Sequence, residues 1–180
     1  MDFYINDDTA WLRRAVRWVV NIVVAIACGW FLVYGFGEQV LISGNSMQPQ
    51  LNAQDVVLMN RIIYVTGTPD RFDVVVFERE DGKKNVKRII GLPGETVQIR
   101  DNRVYINGEP LKEDKMGEVS LAGRAADPVR LGEKEYFLLG DNRGSSEDSR
   151  FPNIGNVKRE QILGKAWFRM LPLLNLGFVS

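Results

Sequence analysis

The chain has 180 residues, 45% of them hydrophobic and 26% charged, enough for one membrane anchor and one compact domain. Lysine plus arginine balances aspartate plus glutamate at 23 each, so no charge excess points to a nucleic-acid partner. Histidine is absent and the one cysteine, Cys28, has no second cysteine to pair with; this excludes Ser-His-Asp and Cys-His catalysis, the usual zinc sites and any internal disulfide framework, and leaves lysine or a carboxylate as the available base.

The chain opens on a short tail, residues 1–10, acidic at Asp2, Asp7 and Asp8, which reads as solvated. Arg13, Arg14 and Arg17 then lead into an uncharged run, 18–37, that as a helix spans roughly 30 Å, the thickness of a bilayer's hydrocarbon core. One transmembrane helix is predicted over 11–37. By the positive-inside bias the arginines hold the N-terminus in the cytoplasm, Trp18, Trp30 and Tyr34 are candidate interface anchors, and everything after Glu38 lies outside. A cleaved signal peptide has a shorter apolar core, of about 7 to 15 residues. Ala25-Ile26-Ala27-Cys28 has a faint likeness to a lipoprotein processing site, yet cleavage there would leave further uncharged, mostly apolar residues on the mature N-terminus.

From Glu38 the texture changes to short β-type runs punctuated by Gly, Pro, Asn and Asp. Strands are predicted over 39–42, 55–63, 73–78, 85–90, 96–100, 103–106, 109–111, 135–139 and 162–170, with hairpin turns at Asp101-Asn102 and Asn107-Gly108. A loop holding Gly67 and Pro69 separates the second strand from the third. Residues 112–129 read as an irregular surface loop. The apolar stretch 171–179 is too short to span a membrane; it either packs on the domain or rests on a membrane surface. Residues 38–180 are therefore expected to form a mainly β domain, an antiparallel sheet or barrel-like unit, behind the anchor.

Three segments carry chemistry. In Ser43-Gly44-Asn45-Ser46-Met47-Gln48-Pro49 a serine sits at a tight, glycine-flanked turn, where its hydroxyl can face outward with backbone N–H groups beside it; alone, the composition is that of an ordinary loop. In Val86-Lys87-Arg88-Ile89-Ile90 the strand alternation puts Lys87 on the face of Ile89, and Arg88 on the face of Val86 and Ile90, so one of the two cations points toward an apolar layer. A buried lysine loses solvation of its charged form, becomes neutral near pH 7, and can take a proton from a serine. The plainer reading is an edge strand with both cations solvated. The third segment, Gly140-Asp141-Asn142-Arg143-Gly144-Ser145-Ser146-Glu147-Asp148-Ser149-Arg150, is either a solvated loop or a support in which a serine hydroxyl holds the lysine and Asp-Arg pairs lock the backbone. Its acidic residues lack the spacing of a calcium loop.

Together and in this order, the anchor, SGNSMQPQL, VKRIIGLPGE and GDNRGSSEDSR resemble the type I signal peptidases of bacteria, membrane-anchored Ser/Lys endopeptidases. The resemblance implies Ser46 as nucleophile and Lys87 as general base. Ser146 is similar in position to the serine that hydrogen-bonds the family's lysine, and Arg88, Asp141, Asp148 and Arg150 match positions that stabilise the site by ion pairs. Two departures stand out. Some members carry a serine two residues before the nucleophile as an oxyanion donor; here that position is Gly44, which leaves the Ser46 backbone N–H, with Ser43 as a candidate second donor. The stretch between the 103–106 hairpin and Tyr136 is also short, so the large accessory insertion of some members is absent or reduced.

The implied substrates are exported preproteins carrying signal peptides with small residues at the first and third positions before the cut, handled at the outer face of the plasma membrane without metal or organic cofactor. The apolar runs 55–63 and 73–78 are candidate pocket walls. A related self-cleaving repressor would carry a DNA-binding domain in place of the anchor. The alternative of another class is a membrane-tethered, non-catalytic β-rich binding module, in which Ser46 and Lys87 have no reason to meet.

Overall fold

The computed structural model describes residues 10–112, 114 and 116–179, with Ala10 and residues 32–36 described by backbone alone. Residues 1–9, with Asp2, Asp7 and Asp8, lie outside the described residues, as does the side chain of Tyr34.

Helix α1 (Ala10–Phe36) contains a stretch, Trp11–Phe31, of mean hydropathy 1.4 with none of it buried. After Arg17 the helix carries no charge and is not enclosed by protein, a combination that calls for an apolar solvent, so α1 is the candidate membrane span among the described residues. Glu38 begins β1 (Glu38–Leu41) immediately beyond it.

The remaining strands are β2 (Val56–Asn60), β3 (Val74–Glu78), β4 (Lys84–Gly91), β5 (Thr96–Arg100), β6 (Arg103–Ile106), β7 (Glu109–Pro110), β8 (Val129–Arg130), β9 (Glu135–Leu139), β10 (Val157–Lys158), β11 (Ile162–Leu171) and β12 (Gly177–Phe178). The larger sheet has the order β1-β2-β11-β3-β4-β9-β10, with β12 also on β11; the smaller has the order β7-β6-β5-β8. All pairings are antiparallel, as expected for the mainly β architecture. Asp101 and Asn102, with φ of 49° and 59°, make the left-handed turn that matches strand twist, and Asn107-Gly108 does the same.

Strand β4 is central. It pairs with β3 along residues 84–88, while β9 joins only from Arg88 onward. Apolar layers cover both of its faces: Val86 packs with Val40 and Met47, Ile89 with Phe77 and Leu138, and Ile90 with Val97 and Phe137. Following the antiparallel steps from β1 through β2, β11 and β3 shows that β1 and β4 run in the same direction. Among the described strands, β1 and residues 84–87 each have a partner on one side only.

Two sequence expectations need correction, and a third was open between two outcomes. The run 55–63 is not one strand: β2 stops at Asn60, whose Oδ1 accepts the N–H groups of Ile62 and Ile63 and turns the chain into a short helix, α2 (Ile63–Thr66). That helix buries Tyr64, whose hydroxyl donates to Asp73 at 2.7 Å. Residues 112–129 are not wholly a surface loop, because Val119 and Ala125 enter the core, a 3-10 turn forms at Gly123–Ala126, and Val129 starts β8. The C-terminal stretch does pack on the domain through β12 and the buried Val179, yet Leu173, Leu174 and Phe178 remain exposed.

Candidate active site

Ser46 follows β1 in a turn whose Gly44 has φ of +98°, a conformation that strains any residue with a side chain. A Cβ there would meet open space, so φ rather than crowding accounts for the glycine. Met47 and Leu51 are fully buried and joined by a hydrogen bond from Leu51 N–H to the Met47 carbonyl at 2.8 Å, which pins the far side of the turn. A second tether comes from the 140–150 loop: Asn142 donates its backbone N–H to the Ser46 carbonyl at 3.0 Å and its side-chain amide to the Asn45 carbonyl at 3.2 Å.

Lys87 reaches this turn from β4, placing Nζ 2.7 Å from Ser46 Oγ. It is 4% exposed and Arg88 2%, so the structure buries both cations where the alternation required only one. The reason is the apolar layer on each face of β4. Burial pushes the Lys87 ammonium down from 10.5 to about 8; Asp148 and Glu147 oppose that, Arg79 reinforces it, and Asp141 opposes it. Lys87 is therefore mostly protonated at pH 7, with about a tenth neutral, rather than neutral as the sequence suggested.

Two of the carboxylates that act on Lys87, Asp141 and Asp148, are already taken. Arg88 donates to both Asp141 oxygens at 2.7 Å. Arg150 donates to Asp148 Oδ1 at 2.7 Å and Oδ2 at 2.9 Å, and to the carbonyls of Leu121, Arg143 and Ser146. All four side chains are essentially buried, so these are scaffold ion pairs that fix the loop.

Ser146 is buried beside the turn, but among the described residues its Oγ has no hydrogen-bond partner, so the expected bond to Lys87 is not made in this structure. Gly140 explains how closely the parts fit: a Cβ on it would lie 2.1 Å from Ser146 Oγ and 2.5 Å from the Ser46 carbonyl oxygen. Ser43 is exposed and lines, with Ser46, Met47 and Lys87, a cleft between β1 and the start of β4. Val40, Ile42 and Val86 supply its apolar lining, in place of the runs 55–63 and 73–78. Those runs lie deeper in the sheet, where Val57, Met59, Val74, Val75, Val76 and Phe77 fill the core.

Sequence reasoning passed over Gly140, Asn142 and a third buried ion pair, Arg143 with Asp114, whose two bonds of 2.8 and 2.9 Å tie the loop to the segment after β7. A glycine at the end of an apolar strand was a usable signal of close backbone approach. The Arg143 to Asp114 pairing joins residues 29 apart, across β8 and β9, and had none.

The family model described as signal peptidase, peptidase S26, matches residues 15–171. A probable signal peptidase I-2 of Synechocystis sp. is 32% identical over 96% of this chain and 79% of its own length. Signal peptidase I T of Bacillus subtilis is 34% identical over 87% of this chain and 86% of its own. A crystal structure of a signal peptidase I from Enterococcus faecalis shares 35% identity, covering 55% of this chain and 97% of that one, with a TM-score of 0.47.

Proposed function

The chain belongs to the signal peptidases of peptidase S26, serine endopeptidases, and on that premise we propose that it removes N-terminal signal peptides from exported preproteins with Ser46 as nucleophile and Lys87 as general base. The observation that carries this reading is the 2.7 Å contact between Lys87 Nζ and Ser46 Oγ, made by a buried lysine whose neighbouring carboxylates are held by arginines. In the protonated form Lys87 donates to the serine oxygen. Once it loses that proton the direction reverses: the hydroxyl donates to Nζ, and Ser46 can attack the scissile carbonyl as Lys87 takes its proton. The Ser46 backbone N–H, with Ser43 as the candidate second donor, receives the oxyanion. Lys87 then passes the proton to the leaving amine and activates water to release the acyl group. Ser146, Gly44 and the pairs Arg88–Asp141 and Asp148–Arg150 support the geometry without taking part in bond making.

The free edges of β1 and β4 flank this site and run parallel, so one extended preprotein segment can add between them as a strand, leading its scissile bond to Ser46. Residues 11–37 serve as the tether with the N-terminus in the cytoplasm, and residues 38–180 as the catalytic unit on the outer face. A non-catalytic binding module gives no reason for a buried lysine to sit against a serine. The test is cleavage of a preprotein by the detergent-solubilised chain and its Ser46→Ala variant. Release of the mature product by the wild type alone is expected, and equal release by both overturns the assignment.

A further inference from the structure

The cleft walls β1 and β4 share no backbone hydrogen bonds, yet one side-chain bridge crosses between them. Lys84 Nζ donates to Glu38 Oε1 at 2.5 Å, linking the first residue of β4 to the first residue of β1. The second carboxylate oxygen of Glu38 accepts from Arg61 at 3.0 Å. Lys84 also lines the cleft that ends at Ser46, and it is half exposed there. For a substrate strand that runs parallel to both walls, this bridge lies upstream of the chemistry. Three residues along β4 separate Lys84 from Lys87, about 10 Å of extended chain. With Lys87 level with the first residue before the cut, a substrate strand between the walls passes the bridge at about its fourth.

We propose that Lys84 is a specificity-determining residue that favours an acidic and disfavours a basic side chain at that upstream stretch of the substrate; the inference rests on the peptidase reading above. The asymmetry comes from Glu38. Its carboxylate keeps Arg61 when Lys84 swings to a substrate carboxylate, so that exchange leaves no acid without a cation. A substrate cation meets Lys84 itself and can be accommodated only by displacing it from Glu38. The bridge is solvent-accessible, so the preference is modest and screened by salt.

The test uses the full chain in non-ionic detergent and peptides identical except for Glu, Ala or Lys placed in turn at the fourth, fifth and sixth positions before the cut. At one of these positions kcat/KM is expected to fall in the order Glu, Ala, Lys, by about two- to fivefold between the extremes, carried by KM and flattened in high salt. Lys84→Glu reverses the order. Glu38→Gln, which frees Lys84, steepens it and decides the matter if the reversed variant fails to fold. Unchanged peptide ratios in a folded variant overturn the proposal while leaving the peptidase assignment in place. Failure of the wild type to cut any peptide in a Ser46-dependent manner overturns the peptidase assignment itself, and this inference with it.

Discussion

Lys87 and Arg88 are adjacent on one strand, equally buried, and treated oppositely by their surroundings. Arg88 meets a carboxylate in a two-bond fork and adds a third bond to the Phe72 carbonyl at 2.8 Å. Lys87 meets a neutral hydroxyl. Asp148, the strongest electrostatic support Lys87 has, is itself clamped by Arg150. A buried charge with a dedicated counter-ion is a fixed strut, whereas a buried charge without one is held near its titration point. Two faces of one strand thus divide the labour, one holding the loop and the other, on the proposed mechanism, moving a proton.

The contrast breaks most sharply under paired substitution. Lys87→Met should remove preprotein cleavage by on the order of a million-fold, the scale seen when a serine enzyme loses its base, with no loss of melting temperature at pH 7. Arg88→Met should do the reverse: it strands the buried Asp141 and lowers stability by about 3–5 kcal/mol, read as a shift in urea midpoint. Replacing Asp141 with leucine in the same chain should recover a large part of that. A Lys87→Met protein that melts as low as Arg88→Met would mean both cations are struts.

Titration sharpens the same comparison. The folded pKa of Lys87, about 8, lies below its ordinary 10.5. Below about pH 8 both folded and unfolded chains hold the proton, and folding bears the full penalty of burying the charge. Between about 8 and 10.5 the unfolded chain binds more protons, so stability rises with pH, and above that window the penalty is gone. Wild type should therefore gain about 3 kcal/mol relative to Lys87→Met between pH 7 and 10.5, measured as the difference in unfolding free energy. Cleavage should climb through about pH 8 and level off above it. A profile still rising steeply past pH 10 would place the proton acceptor elsewhere.

How much of this was legible follows from what each element needs. Strands such as β2 and β9 announce themselves because a half-buried or fully buried run leaves a pattern in four or five residues, and α1 because a bilayer-length uncharged run has few other uses. Strands β8, β10 and β12 have two residues each, too few to carry a period, and exist because a neighbour offers an edge. Helix α2 is written in β-branched and aromatic residues that favour strand; the Asn60 side chain overrides them. At the site, Ser46, Lys87 and the polar loop stood out as residue types. Their assembly depends on β4 lying between two apolar layers, on Asn142 reaching back to Ser46, and on a glycine thin enough to let the loops touch, and none of these is a local property of sequence.

That glycine is where the strut and the proton-handling face join, and it yields the smallest and most local prediction. Gly140 donates its N–H to Asp148 Oδ2 at 3.0 Å, so its backbone belongs to the ion-paired scaffold. Its bare α-carbon faces Ser146 and the Ser46 carbonyl, which belong to the other region. Gly140→Ala adds one methyl group. Ser146 can rotate its hydroxyl away, since that oxygen has no hydrogen bond to lose among the described residues. The Ser46 carbonyl cannot step aside so freely: it is backbone, and Asn142 holds it. The misfit should therefore fall on the position of Ser46. Stability should drop by about 1–3 kcal/mol, the usual range for overpacking, while kcat falls more than KM changes because the Ser46 to Lys87 distance is disturbed and the cleft walls are not. If Gly140→Ala instead raised KM with kcat intact, the methyl group would be acting on the cleft, and the loop and the nucleophile turn would not be coupled through this contact.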